Sequence, residues 1–531
     1  MADWWRSGVV YQLYPRSFAD SDGDGVGDLR GVTERLDHLA DLGVDAVWLN
    51  PCFPSPNADW GYDVADYLTV APELGGDAAL DELIAAAGER GIRILLDLVP
   101  NHTSDRHPWF EDARSSRDAA NRDWYVWADG RDGGPPNNWK SVFGGPAWTF
   151  DEATGQWFLH NFLPEQPDLN WWNEDVRAAF DRILRHWFDR GVAGFRIDVA
   201  HAIVKDAELR DNPAADESDP PRTQRFGQRQ VYSMNRPEVH DVFRRWRGVA
   251  REYEPERVLL GETWVFELER LARFYGESSD ELHLAFNIPF LLAGFETETL
   301  AEIVAATEAA LGPADAWPVW TLSNHDVIRF PTRWCADHPA RIRCALVLLL
   351  TLRGTPVLYY GDEVGMPQAR LARSDLRDPV GLRHWPLDPG RDGARTPLPW
   401  ADEPGAGFTG PGVQPWLPIA DAHAVNVASQ RDDPDSVLSL ARDLIALRRE
   451  LDDLATGAYE RLPSPPGTWA WRRGERVAVA VNATGLPQTV GGIRGTVRVA
   501  TDRARDGEEV AGELHLDAWG AAVVAERGSR G

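Results

Sequence analysis

Lysine is almost missing: Lys140 and Lys205 are the only two, so the basic charge is nearly all arginine. Basic residues are also too few overall. Lys and Arg number 55 against 83 Asp and Glu, a net charge of -28, which argues against nucleic acid and anionic membranes as partners. Three cysteines, Cys52, Cys335 and Cys344, form no disulfide framework and have no metal-ligand spacing. The longest apolar run, residues 345–352, is too short to cross a bilayer. The opening Met-Ala-Asp-Trp-Trp-Arg lacks the charged-then-apolar layout of a signal peptide, so a cytoplasmic protein is expected.

Tryptophan, in contrast, is abundant, with 24 residues in a chain of 531. Its flat apolar ring packs against other rings and against the apolar face of a sugar, which raises the expectation of carbohydrate binding. The length implies two or three domains.

Short apolar runs at residues 9–14, 46–50, 92–99, 194–199, 258–261, 282–288, 319–323 and 356–360 read as buried parallel strands. Amphipathic stretches such as 29–42, 79–90 and 176–190 lie between several of them. Eight alternations point to a (β/α)8 TIM barrel, although alternation alone also suits an open doubly wound sheet. After the third strand no helical period returns until about residue 175. The intervening stretch, with Gly-Gly-Pro-Pro-Asn-Asn at 133–138, reads as an inserted domain. Residues 206–229 read as a second long loop, a potential lid. From about Thr468, short alternating strands at 468–472, 477–482, 496–500 and 521–525 predict an antiparallel β-sandwich. The expected division is a barrel at 1–101 and 171–455, an inserted domain at 102–170 and a C-terminal sandwich at 456–531.

Barrel enzymes place their chemistry at the C-terminal ends of strands. Here those ends read Asp97-Leu-Val-Pro-Asn-His102, Gly194-Phe-Arg196-Ile-Asp198-Val199, Gly261-Glu262-Thr-Trp264 and Ser323-Asn-His325-Asp326. A lone strand-end Asp is usually a turn or capping residue. Several carboxylates converging on one barrel mouth are instead the machinery of glycoside hydrolysis.

These four motifs, with Gln166-Pro-Asp168-Leu-Asn170, resemble the α-amylase superfamily, glycoside hydrolase family 13, and its oligo-1,6-glucosidase and α-glucosidase branch. The resemblance covers residues 1 to about 410. It implies Asp198 as nucleophile, Glu262 as acid/base, and Asp326 as the carboxylate holding the 2- and 3-hydroxyls. Arg196 would hold the nucleophile ionised, His102 and His325 would donate to sugar hydroxyls, and Tyr62 would stack under the ring. Exo-acting members block the site beyond the terminal glucose with an Asp and an Arg on its 4-hydroxyl. Asp59 and Arg395 match them, and Phe143, Phe162 and Gln166 match the pocket wall. The segment after Arg395 departs from the family's Met-Gln-Trp, reading Leu398-Pro399-Trp400. Val199 after the nucleophile goes with α-1,6 bonds, and Trp264 resembles an acceptor-site aromatic of dextran glucosidases. Specificity for α-1,4 or mixed linkages stays an alternative.

Asp20-Ser-Asp22-Gly-Asp24-Gly-Val26-Gly-Asp28 places an oxygen ligand at every second position. Gly31 stands where an EF-hand needs its bidentate Glu, so the loop is no EF-hand. It matches the first-loop metal site of the oligo-1,6-glucosidases, which implies structural Ca2+ or Mg2+ and no organic cofactor. The implied partner is a small oligosaccharide; monomer or homo-oligomer is left open. A sucrose or maltose isomerase, or a transglucosylase, shares the covalent intermediate. The chain reads Val327-Ile-Arg329-Phe-Pro331 after Asp326, with no Arg-Leu-Asp-Arg-Asp isomerisation motif.

Overall fold

The computed structural model describes residues 3–526. Eight parallel strands form one sheet, in the order Val319–Thr321, Thr355–Tyr359, Val10–Leu13, Ala46–Leu49, Arg93–Leu98, Gly194–Ile197, Val258–Gly261 and Leu284–Ala285. Just past the last of these, Phe286 makes a parallel bridge to Val319 of the first, which brings the ends of the sheet together as a (β/α)8 barrel requires. Nearly every residue of these strands is buried, as expected of parallel strands covered on both faces.

The chain divides into two compact units, one of residues up to Asn50, Ala78–Ile94 and from Phe286 on, the other of Pro51–Asp77 and Leu95–Ala285. In the first, the apolar run 345–352 falls largely in the helix Pro339–Thr351, with nine consecutive or near-consecutive side chains buried because the helix packs against Val437–Glu450 and the C-terminal sheet. That sheet has six antiparallel strands, two more than the sequence pattern picked out: Tyr459–Leu462 and Glu509–Leu516. The strand Gln488–Ala500 is also far longer than the expected 496–500 and carries a bulge at Gly491-Gly492. Two bulges bend this strand, and the alanine and valine faces of the sheet close on a common core, giving the sandwich.

The amphipathic stretch 29–42 is two helices, Leu29–Glu34 and Leu36–Leu42. The break has a local cause. Thr33 turns its hydroxyl back to the Leu29 carbonyl, and Arg35 leaves helical geometry to donate to Gly407 O at 2.7 Å and lie over the Trp400 ring.

The second unit holds a three-stranded antiparallel sheet, Trp127–Ala128, Gln156–Leu159 and Trp148–Asp151, in the segment read as an insertion. A helix at Pro108–Ser115 also lies there, where no helical period was legible. It is short, starts on Pro, is capped by His107 and buries only Phe110 and Ala113, so it leaves almost no apolar periodicity. The loop 206–229 contains one helix, Pro221–Phe226.

Candidate active site

In the second unit the site is built around one arginine. Arg196 is the third residue of the strand Gly194–Ile197, in register with Asp97 on one neighbour and Leu260 on the other. It is 1% exposed. Its Nη1 lies 2.8 Å from Asp97 Oδ1 and 2.8 Å from Asp198 Oδ1, while Nη2 lies 2.8 Å from Glu262 Oε2. Strand pairing continues one residue beyond each strand end, through Asp198 N–H to Leu98 O and Glu262 N–H to Ile197 O. That rigid ladder places both carboxylates at the strand ends.

Glu262 has further donors. Val199 N–H meets Oε2 at 2.9 Å, and Trp264 Nε1–H meets Oε1 at 2.8 Å. Val199 reaches this geometry with φ of 37°, a region that β-branched residues almost never occupy. Such strain persists only where surrounding contacts enforce it, and it is commonest at functional sites. The Val199 side chain packs with Ala202 and Met234 and against Val142 and Phe162.

Three carboxylates around one guanidinium leave an excess of negative charge in a dry place. Burial pushes Asp97 up to about 6 against the opposing pull of Arg196, and Tyr62 donates its hydroxyl to Asp97 Oδ2 at 3.0 Å. Burial alone would lower Arg196, but Asp97, Glu262, Tyr62 and Asp198 outweigh it and hold the guanidinium far above its usual value.

The remaining residues expected here form a second layer of the same unit. Asp59 is fixed in a turn tied by Asp63, whose carboxylate accepts from Ser55 Oγ and the N–H groups of Ala58 and Asp59. Gln166 Nε2 reaches Asp59 Oδ2 at 3.3 Å, and His102 Nε2 lies 3.0 Å from Tyr62 O. Phe162 packs its ring against His102 and Phe143. Trp264 lies beneath Arg222 of the helix Pro221–Phe226, 4.3 Å from ring centroid to guanidinium carbon. Sequence reasoning missed Arg222, and also Lys205, which is buried against Asp168 and Asn101. An exposed-looking Arg in a polar loop carries no signal. One of only two Lys in a chain otherwise basic through Arg did carry one.

In the first unit, Asp326 is the centre. Its Oδ1 lies 3.0 Å from Arg395 Nη2 and 3.4 Å from Arg391 Nη1, and its Oδ2 lies 3.2 Å from His325 Nε2. Gln12 Nε2 donates to His325 Nδ1 at 2.8 Å, which leaves the ring proton on Nε2. Arg395 is fully buried, donates through Nε to His325 O at 2.9 Å, and keeps Nη1 without a hydrogen-bond partner. Arg391, not singled out from sequence, pairs with Asp378, whose carboxyl it holds at about 2 despite burial.

In the loop after the first strand, ligand oxygens of Asp20, Asp22 and Asp28 lie within 4.8 Å of one another. Asp24 is outside that group, its Oδ1 accepting the Val26 N–H at 2.7 Å. Gly31 lets the following helix approach closely, since a Cβ there would stand 2.0 Å from Ala19 O. Desolvation and then the charges of Asp24, Asp28 and Asp20 push Asp22 up, so the loop carries uncompensated negative charge. An all-oxygen donor set of this kind fits Ca2+ or Mg2+. Among the described residues no helix is long and apolar enough to cross a membrane.

Residues 12–457 match the sequence profile of the alpha-amylase catalytic domain. A probable alpha-glucosidase of Rhizobium meliloti is 44% identical over 86% of this chain and 85% of its own length. An oligo-1,6-glucosidase of Heyndrickxia coagulans is 36% identical over 91% of this chain and 92% of its own. Among solved structures, the alpha-glucosyl transfer enzyme XgtA superimposes with a TM-score of 0.92 at 39% identity, covering 99% of this chain and all of that one. A mutant of the trehalulose synthase MutB does so with a TM-score of 0.91 at 33% identity, over 99% of this chain and 100% of that one. With this fold, these strand-end carboxylates and these relatives, the chain belongs to glycoside hydrolase family 13, the α-amylase superfamily, in its α-glucosidase and oligo-1,6-glucosidase branch.

Proposed function

We propose that the protein is a retaining, exo-acting α-glucosidase that releases glucose from the non-reducing ends of short α-glucosides, with a preference for α-1,6 bonds. The observation that carries this reading is the shared guanidinium of Arg196, with Asp198 on one terminal nitrogen and Glu262 on the other. Double displacement needs two carboxyls about 5–5.5 Å apart, and neighbouring nitrogens of one arginine hold a pair at a separation of that order.

In the first step Asp198 Oδ attacks the anomeric carbon as the glycosidic C–O bond breaks. Glu262 gives its proton to the leaving oxygen. Its Oε2 already accepts from Arg196 and Val199, so Oε1, oriented by the Trp264 N–H, is the oxygen that exchanges the proton. In the second step Glu262 takes a proton from water, the new oxygen bonds to the anomeric carbon, and the ester to Asp198 breaks. The resemblance assigns Asp326 and His325 to the 2- and 3-hydroxyls, Tyr62 to the ring face, and Asp59 and Arg395 each to the 4-hydroxyl. The unpartnered Arg395 Nη1 is a buried donor suited to that task.

The test is the ratio of kcat/KM on isomaltose and maltose, together with 1H NMR of the first anomer released. Retention requires α-glucose first; β-glucose first would remove the mechanism. Val199→Thr should shift the isomaltose to maltose ratio toward maltose by about tenfold, the scale of one methyl-sized contact. An unchanged ratio would show that Val199 does not set linkage.

A second reading is favoured by the solved relatives, an alpha-glucosyl transfer enzyme and a trehalulose synthase. The same glycosyl-enzyme passed to a sugar hydroxyl instead of water makes a transglucosylase or isomerase. Product analysis on sucrose, maltose and isomaltose separates the two.

The acidic loop is proposed to hold structural Ca2+ or Mg2+ through Asp20, Asp22, Asp28 and the Val26 carbonyl, with Asp24 completing the set when the ion is bound. A ligand at about 100 times its Kd stabilises the fold by about 2.7 kcal/mol, so chelation should lower Tm by about 2–3 °C, and Ca2+ in excess should restore it. A Tm indifferent to chelator and Ca2+ would refute this. Residence in the cytoplasm is part of the proposal and fits three free, buried thiols.

A further inference from the structure

Lys205 is 3% exposed and sits among Asn101, His102 and Asp168, all buried. Its Nζ lies 2.9 Å from Asp168 Oδ2, donates to Asn101 Oδ1 and donates to Ile203 O at 3.1 Å. An ammonium has donors only, so it fixes the Asn101 amide with oxygen toward itself. The amide nitrogen must then face the other way, where it lies 3.0 Å from His102 Nδ1 and 3.2 Å from Asp168 Oδ1. An N–H pointing at Nδ1 requires a bare nitrogen there. At the opposite edge of the ring the Tyr62 carbonyl, 3.0 Å from Nε2, requires a proton. Two independent contacts therefore select the same neutral tautomer, and the single ring proton goes to Tyr62 O rather than to a sugar hydroxyl as the resemblance implied. Gln166 Nε2 also lies 3.1 Å from His102 Nε2, but it needs no lone pair from the ring. Its amide is locked by the Leu163 N–H on Oε1, and its own hydrogens face Asp59 Oδ2 and Tyr62 O.

We infer that Lys205 is a positioning residue: acting through the Asn101 amide, it keeps the His102 proton on Nε2, so that the ring clamps the Tyr62 carbonyl and holds the Tyr62, Asp59 and Gln166 wall in place. This rests on the proposed glucose pocket for its effect on activity, though the tautomer itself does not. The charged groups facing His102 are Asp168 and Lys205, and Asp59 is reached only through Gln166. Burial holds His102 down at about 4, so the ring stays neutral across the working pH range.

The full chain with 15N-labelled histidine, read against His102→Gln to assign the signal, should show His102 protonated at Nε2 and bare at Nδ1 between about pH 6 and 8. A proton on Nδ1 overturns the inference. Lys205→Met frees the amide to flip, and KM for isomaltose should rise roughly tenfold with kcat within about twofold, the scale of one lost hydrogen bond in ground state and transition state alike. If that variant does not fold, Asn101→Asp decides. A carboxylate beside Nδ1 draws the proton there, stripping Nε2 at neutral pH, and raises the imidazole pKa. Acidification then supplies the second proton and restores the Nε2 donor. The ratio of its KM to wild type should fall steadily from pH 8 to about 5.5; a ratio flat with pH overturns the inference. Wild-type protein without activity on any α-glucoside would strike down the proposed function, while the spectrum would still decide the tautomer.

Discussion

Asp198→Asn is expected to lose about 10^4-fold or more in kcat while melting at or slightly above the wild-type temperature. An amide oxygen is a poor nucleophile, and loss of a residue that forms the covalent intermediate removes the route itself rather than one contact in it. The stability half of the expectation follows from charge. Arg196 faces three carboxylates, Asp97, Asp198 and Glu262, and removing one negative charge leaves the guanidinium paired with the other two. Repulsion falls, the usual trade between stability and a strained, charged active site. Asp198→Gly adds a direct check. Azide entering the vacated space should attack the anomeric carbon of an activated α-glucoside and give β-glucosyl azide, with the leaving group departing as in the first step. A turnover within tenfold of wild type for the Asn variant, or a rescued product of α configuration, would end the nucleophile assignment.

Asp198, Glu262 and Asp326 were legible because each ends an apolar run short enough to be a buried strand and because their motifs together match one family; any one of them alone would read as a turn or cap. Arg196 was legible in part. A spacing of two residues puts it on the same face as Asp198, but its contacts with Asp97 and Glu262 depend on the register of neighbouring strands, which no local pattern encodes. For the same reason Asp97 read only as a strand end, whereas it is a third carboxylate on the guanidinium. The helix Pro221–Phe226 and the stacking of Arg222 on Trp264 were hidden in a polar stretch with no apolar periodicity. Arg395 was found by its motif, yet its commitment to Asp326 and the His325 carbonyl is a long-range contact that only the fold reveals.

Arg196→Met tests the electrostatic frame of the site more severely. Methionine fills much of the space but leaves Asp97, Asp198 and Glu262 facing one another with no counter-charge. Breaking a buried ion pair by removing one partner costs about 3–5 kcal/mol, so the variant should melt far below wild type at neutral pH, with kcat depressed as both carboxylates lose their anchor. The pH dependence gives the sign. Asp97 already lies at about 6 in the folded protein, above the ordinary carboxylate range. Between about pH 4 and 6 the folded state thus keeps a proton that the unfolded chain has released, and the stability Asp97 contributes is highest below that window and falls as the pH rises through it. Without Arg196 the carboxyl moves higher still, so the deficit of the variant relative to wild type should grow from pH 5 to pH 7.5. Denaturant melts of both proteins at the two pH values measure it. A deficit independent of pH, or larger at pH 5, would mean that Arg196 stabilises the barrel by packing and not by holding three acids together.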